Sequence, residues 1–185
     1  LGETLAGELA KNKDLEVKSA RLADADQGLS DAALDQADVI VFWCHRKVKD
    51  QNDARAEAIV KRVQAGKLGF IALHSAHWAK PFVRLMQERS KADALKQLTP
   101  EERASAKWVF VNEAPYYKGV KAGAPMTPSV KRDGNTYTLT LPQCVFPTYR
   151  NDGAPGHVTT VKPTHPIATG LPTKWDIPQT EMYGE

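Results

Sequence analysis

Two short runs are apolar at every position: Val39-Ile40-Val41-Phe42-Trp43 and Leu68-Gly69-Phe70-Ile71-Ala72-Leu73. Runs of this length with no alternation read as strands covered on both faces, as in a parallel sheet. Helical signals stand between and around them. Leu1, Leu5 and Leu9 have helical spacing, which predicts an amphipathic helix over residues 1 to about 12. Leu15 to Leu22 alternates and reads as a strand. Ser30-Asp31 is an N-cap signal for a short helix to Gln36. Asp50 or Asn52 caps a further helix to about Ala65, which Gly66 ends, and another helix runs from about Ala79 to Arg89. Helix and strand therefore alternate over the first 90 residues, the pattern of an α/β domain.

The pattern changes further on. Thr99-Pro100-Glu101-Glu102 is a capping box with proline at the first helical position. Trp108 to Val111 reads as a strand and Ala114 to Pro128 as loop. Asp133-Gly134 marks a hairpin leading into Tyr137, Leu139 and Leu141, which alternate with threonines. Residues at about 87–143 thus form an expected insertion on one domain spanning 1–185. Beyond them the proline-rich end reads as ordered loop, with a strand near His157 to Val161.

Composition excludes several classes. The 185 residues are 42% apolar and 25% charged, a globular balance. The net charge is +3, with lysines and arginines scattered rather than striped, so no nucleic acid is expected as a partner. The longest apolar run, Val39 to Cys44, is far short of a membrane span, so no membrane partner is expected either. The dinucleotide and nucleoside-triphosphate glycine motifs do not occur, so no nucleotide cofactor is expected. Cys44 and Cys144 lie far apart and outside any Cys-x-x-Cys; they read as small buried residues, or as a pair or a metal ligand brought in by the fold.

Ligands of open parallel sheets bind beyond the carboxyl ends of the strands. That rule selects Trp43-Cys44-His45 and His74-Ser75-Ala76-His77. Imidazoles ligate transition metals and move protons near neutral pH. His157 is a further loop ligand candidate, and His165 before Pro166 reads as a turn residue. Glu181, in a loop with few other charges, suits a ligand or a general base. Ser75 follows a strand and precedes a helix, where hydrolases place a nucleophile, but Gly-x-Ser-x-Gly is absent, so a hydrogen-bonding or capping hydroxyl is the stronger reading. Trp43, Trp78 and Tyr183 are flat rings that stack on sugars or aromatic ligands, and that pack cores just as often.

These segments together resemble the ThuA-like (trehalose-utilisation) family: Asp38 to His45; Gly69 to Phe82 with His74-Ser75-Ala76-His77; Thr164-His165-Pro166-Ile167-Ala168; and Thr180-Glu181-Met182-Tyr183-Gly184-Glu185. The resemblance implies a class I glutamine amidotransferase-like, flavodoxin-like three-layer sandwich with a parallel sheet. It implies a domain lacking the family's first strand and its last strands. It also implies carbohydrate chemistry on trehalose, a related disaccharide or a keto sugar, by metal-assisted or acid–base isomerisation or hydrolysis. Where amidotransferases carry a catalytic cysteine this chain has His74-Ser75, so glutaminase activity is not implied. The candidate catalytic set is His74, Ser75, His77 and Glu181. Trp43, Trp78, Lys80 and Tyr183 would bind the substrate, a small carbohydrate. His45, His77 and Glu181 would hold a divalent metal, zinc first. A non-catalytic sugar-binding or partner-binding domain is the alternative, and a second copy of the chain is an expected partner.

Overall fold

A computed structural model describes residues 2–112, 127–142, 148–150, 152–180 and 182–184. They fall into two compact units. The first holds helices α1 (Gly2–Leu9), α2 (Asp31–Gln36), α3 (Asp53–Gln64), α4 (Lys80–Leu95) and α5 (Pro100–Ser105), with strands β1 (Val39–Trp43), β2 (Gly69–Leu73), β3 (Lys107–Asn112), β4 (Ser129–Asp133) and β5 (Thr136–Leu141). The second holds β6 (Thr148–Arg150), β7 (Gly156–Thr159), β8 (Lys174–Ile177) and β9 (Met182–Gly184). The chain is thus a mixed α/β protein with parallel strand pairing.

The helix ends follow the local chemistry. Ser30 Oγ accepts from the Ala33 amide at the start of α2. Asn52 Oδ1 accepts from the amides of Ala54 and Arg55 at the start of α3. Gly66 follows α3 with φ +68°, a left-handed turn that glycine makes without a Cβ clash. Thr99 and Glu102 form the reciprocal box at α5.

β1 and β2 pair in parallel, Val39 opposite Gly69 through Trp43 opposite Leu73. One face of this pair carries the core: Leu34, Ile59 and Leu68 are buried, and Ile40 and Phe70 pack against them. Burial of a side chain such as Ile59 contributes about 1.5–3 kcal/mol. The two-sided burial expected for β1 is not what the described residues show. Val39, Val41, Trp43 and Ile71 are exposed, because α2 and α3 pack only against the Ile40 and Phe70 face. The alternating stretch after Leu15 also differs. Residues 15–20 are irregular, with Leu15 exposed, because among the described residues no strand pairs with them.

α4 runs to Leu95, six residues beyond the expected end, and packs on both α3 and β5. The centre of this junction is Arg84. Its guanidinium bonds Glu57 of α3, reaches Gln87 at 2.6 Å and Glu88 at 2.9 Å, and lies 4.9 Å from the centre of the Phe110 ring. β5 is the middle strand of a three-stranded sheet, parallel to β3 and antiparallel to β4. Its Tyr137, Leu139 and Leu141 are buried as the alternation indicated. In the second unit β6 pairs with β9 and β7 with β8, both antiparallel. Among the described residues no helix is long and apolar enough to cross a membrane.

Candidate functional site

β1 and β2 run parallel and end together, so the residues that follow them arrive side by side. His45 follows β1 by two residues, and the single 3-10 turn His74–Trp78 follows β2 directly. At the first residue of that turn the backbone of His74 is left-handed, with φ +50°. A non-glycine residue held there stores about 1–3 kcal/mol of strain, a cost that clusters at functional sites.

The bend puts one hydroxyl between two imidazoles. Ser75 Oγ lies 3.0 Å from His45 Nδ1 and 3.1 Å from His74 Nδ1. The His45 and His74 rings are 6.0 Å apart, centre to centre. Ser75 is buried, with 2% of its surface exposed, whereas both imidazoles are exposed. The strained position belongs to His74 rather than to the serine, and the hydroxyl is engaged on both sides. That is the geometry of a bridging group.

The other expected residues surround this triplet within the first unit. His77 donates from Nδ1 to the His74 carbonyl oxygen at 2.9 Å, which fixes the neutral ring with its lone pair at Nε2. The Trp43 ring stacks beside His45 at 6.3 Å, and Trp78 meets His77 edge-on at 4.5 Å. Both tryptophans are exposed, Trp43 by 45%. Lys80 opens α4, and its ammonium pairs with Asp53 at 2.8 Å.

Sequence reasoning missed Gln51. It is buried, its amide donates to Cys44 Sγ at 2.9 Å, and its carbonyl oxygen accepts from the Lys80 backbone amide at 2.7 Å. It thereby ties the loop carrying His45 to the start of α4. A glutamine beside a capping asparagine carries no signal of such a long-range role. Cys44 donates onward to the Arg46 carbonyl oxygen at 3.3 Å, and burial pushes its thiol up, so it stays protonated and a poor nucleophile.

The remaining candidates lie elsewhere. Glu181 and Cys144 are outside the described residues, and Tyr183 is described only through its backbone in β9. His157 sits on β7, opposite Asp176 of β8, with its Nδ1 2.7 Å from the carboxylate. His165 caps a short turn by accepting from the Ile167 amide. Among the described residues no three His, Cys, Asp or Glu side chains gather as a metal site.

The fold and this cluster define an α/β protein with a histidine–serine–histidine group at the carboxyl ends of two parallel strands. The family described as ThuA, trehalose utilisation, matches residues 2–185, and the chain belongs to it. That membership gives the site a carbohydrate-metabolism context. No curated protein matches the chain.

Proposed function

We propose that the protein is an acid–base enzyme acting on trehalose, a related disaccharide or a keto sugar derived from one. The observation that supports this is the bridging of His45 and His74 by the buried Ser75 hydroxyl, next to exposed tryptophans, in a chain of the trehalose-utilisation family. One imidazole accepts a substrate proton while the other donates one. Trp43 and Trp78 offer flat faces to a sugar ring. His77 and Lys80 bound the site on the α4 side. The finer architecture we infer is a flavodoxin-like three-layer sandwich, supported by the parallel β1–β2 pair and the helices that alternate with its strands.

In an alternative to the acid–base role, His45 and His77 would instead be ligands of a divalent metal. The His77 Nδ1 bond to a backbone carbonyl is the usual support of a histidine ligand. When bound, the metal would polarise a carbonyl or acidify water. The exposed tryptophans also favour a second reading, a sugar-binding module without turnover.

Elemental analysis of the purified protein, with turnover of keto-disaccharides by wild type, His45→Ala, His77→Ala and Glu181→Ala, separates these readings. The expected result is turnover that falls about 100-fold or more in His45→Ala. Stoichiometric metal that disappears in His45→Ala would overturn the acid–base role of that ring. Sugar binding without turnover by wild type would leave the binding module.

A further inference from the structure

A serine hydroxyl has one proton and can donate one hydrogen bond. Ser75 Oγ stands within hydrogen-bond distance of two Nδ1 atoms at once. With both rings neutral, it donates to one Nδ1 and accepts from the other. The two imidazoles therefore hold opposite tautomers. One carries its proton at Nδ1 and presents a lone pair at Nε2; the other carries its proton at Nε2. One exposed nitrogen is a base and the other an acid, and the buried hydroxyl enforces the difference.

We propose that His45, Ser75 and His74 form a proton relay that exchanges the acid and base roles of the two rings, and that the relay serves a proton shift between adjacent carbons of an α-hydroxy carbonyl compound. This rests on the acid–base reading of the same site. In the first half-reaction the basic Nε2 takes the proton from the carbon next to the carbonyl, while the acidic Nε2–H protonates the carbonyl oxygen. The product is an enediol. Without the relay the first ring would become an imidazolium and the second an imidazolate, an anion too basic to form readily near neutral pH. The relay removes both charges. The first ring's Nδ1 proton passes to Ser75 Oγ as the serine proton passes to the second ring's Nδ1. Both rings are neutral again with their roles exchanged.

The second half-reaction needs that exchange. The ring that took a carbon-bound proton must now deliver one to the neighbouring carbon, and the other ring must take the proton of the neighbouring hydroxyl. The relay then returns to its starting arrangement, with every proton accounted for and no oxidant or reductant required. Ser75 acts through the rings and does not touch substrate. The left-handed backbone of His74 brings its ring back onto the serine that follows it.

Two measurements test the proposal. Nitrogen-15 NMR of the histidine rings in wild type at neutral pH is expected to show His45 and His74 in opposite tautomers, or both at shifts midway between the two forms. In Ser75→Ala both should revert to the Nε2–H form. Separately, 3-keto-trehalose and dihydroxyacetone are incubated in D2O, and proton NMR follows exchange at the carbon beside the carbonyl. Wild type is expected to exchange it, and Ser75→Ala to lose about 100-fold of the rate. The same fixed tautomer on both rings in wild type would overturn the relay, with no variant needed. So would an exchange rate unchanged within about threefold in Ser75→Ala, given that a proton-transfer group contributes about 100-fold or more. In either case the acid–base reading stands if His45→Ala and His74→Ala still lose exchange. No exchange of either probe by wild type overturns the proton-shift assignment. If neither probe moves the His45 or His74 resonances, the carbohydrate reading falls with it.

Discussion

His74 is one of the non-glycine residues with a left-handed backbone among those described. Its φ of +50° suits glycine, and a Cβ in that region costs about 1–2 kcal/mol. The strain holds the imidazole against Ser75, so stability and function pull apart at this position. His74→Gly is expected to unfold at a higher urea concentration than His74→Ala, by about 1 kcal/mol, while both lose the acid–base activity to the same degree. Equal stability of the two variants would show that the bend is unstrained. That histidines would gather at the strand ends was legible from the strand runs and the carboxyl-end rule. The shared hydroxyl was not, because it depends on one backbone angle that no spacing encodes. Gln51 was hidden for a related reason: its partners, Cys44 and Lys80, belong to two other segments.

At the scale of elements the capping box of α5 joins two effects that can be separated. Thr99 Oγ1 accepts from the Glu102 amide at 3.3 Å, and Glu102 accepts in return from the Thr99 amide at 3.0 Å. That return bond first, and the bond from Arg132 of β4 second, hold the Glu102 carboxyl below its usual range. A lowered folded pKa stabilises above the unfolded value of about 4.3 and is lost as pH falls through the folded one. Thr99→Ala is expected to cost about 1 kcal/mol through the lost cap. Glu102→Gln should be less stable than wild type at pH 7, with the gap closing as pH drops below about 4. Urea midpoints measured downward from pH 7 check both, and a gap that does not narrow as the pH is lowered would rule out the carboxylate as its source. Caps of this kind were readable because their partners lie within three residues. The strand expected after Leu15 was not realised, because alternation names a face but cannot supply a neighbour to pair with. β1 shows the same limit: an all-apolar run does not say how many faces a layer will cover.

For the whole molecule, charge and exposed apolar surface act together. The chain carries 25 basic against 22 acidic residues, and its isoelectric point is near 8.8. Below the isoelectric point the molecule is net positive, and like-charged molecules repel. Near the isoelectric point that repulsion vanishes, while the apolar face of Val39, Val41, Trp43 and Ile71 remains. Self-association should therefore be strongest near pH 9 and weakest near pH 6, and static light scattering across that range measures it. Ile71→Lys places a cation in the middle of the face, opposite Val41, and adds a positive charge to the whole. It is expected to suppress the scattering at pH 9, beyond what the raised isoelectric point alone achieves. A lysine at exposed Val161, which lies in the second unit and adds the same charge, is the control for that global effect. If the two lysine variants behave alike, net charge alone governs association. If only Ile71→Lys stays dispersed, the exposed face of the parallel pair is the surface through which copies meet, beside the ring of Trp43 that the acid–base reading assigns to the sugar.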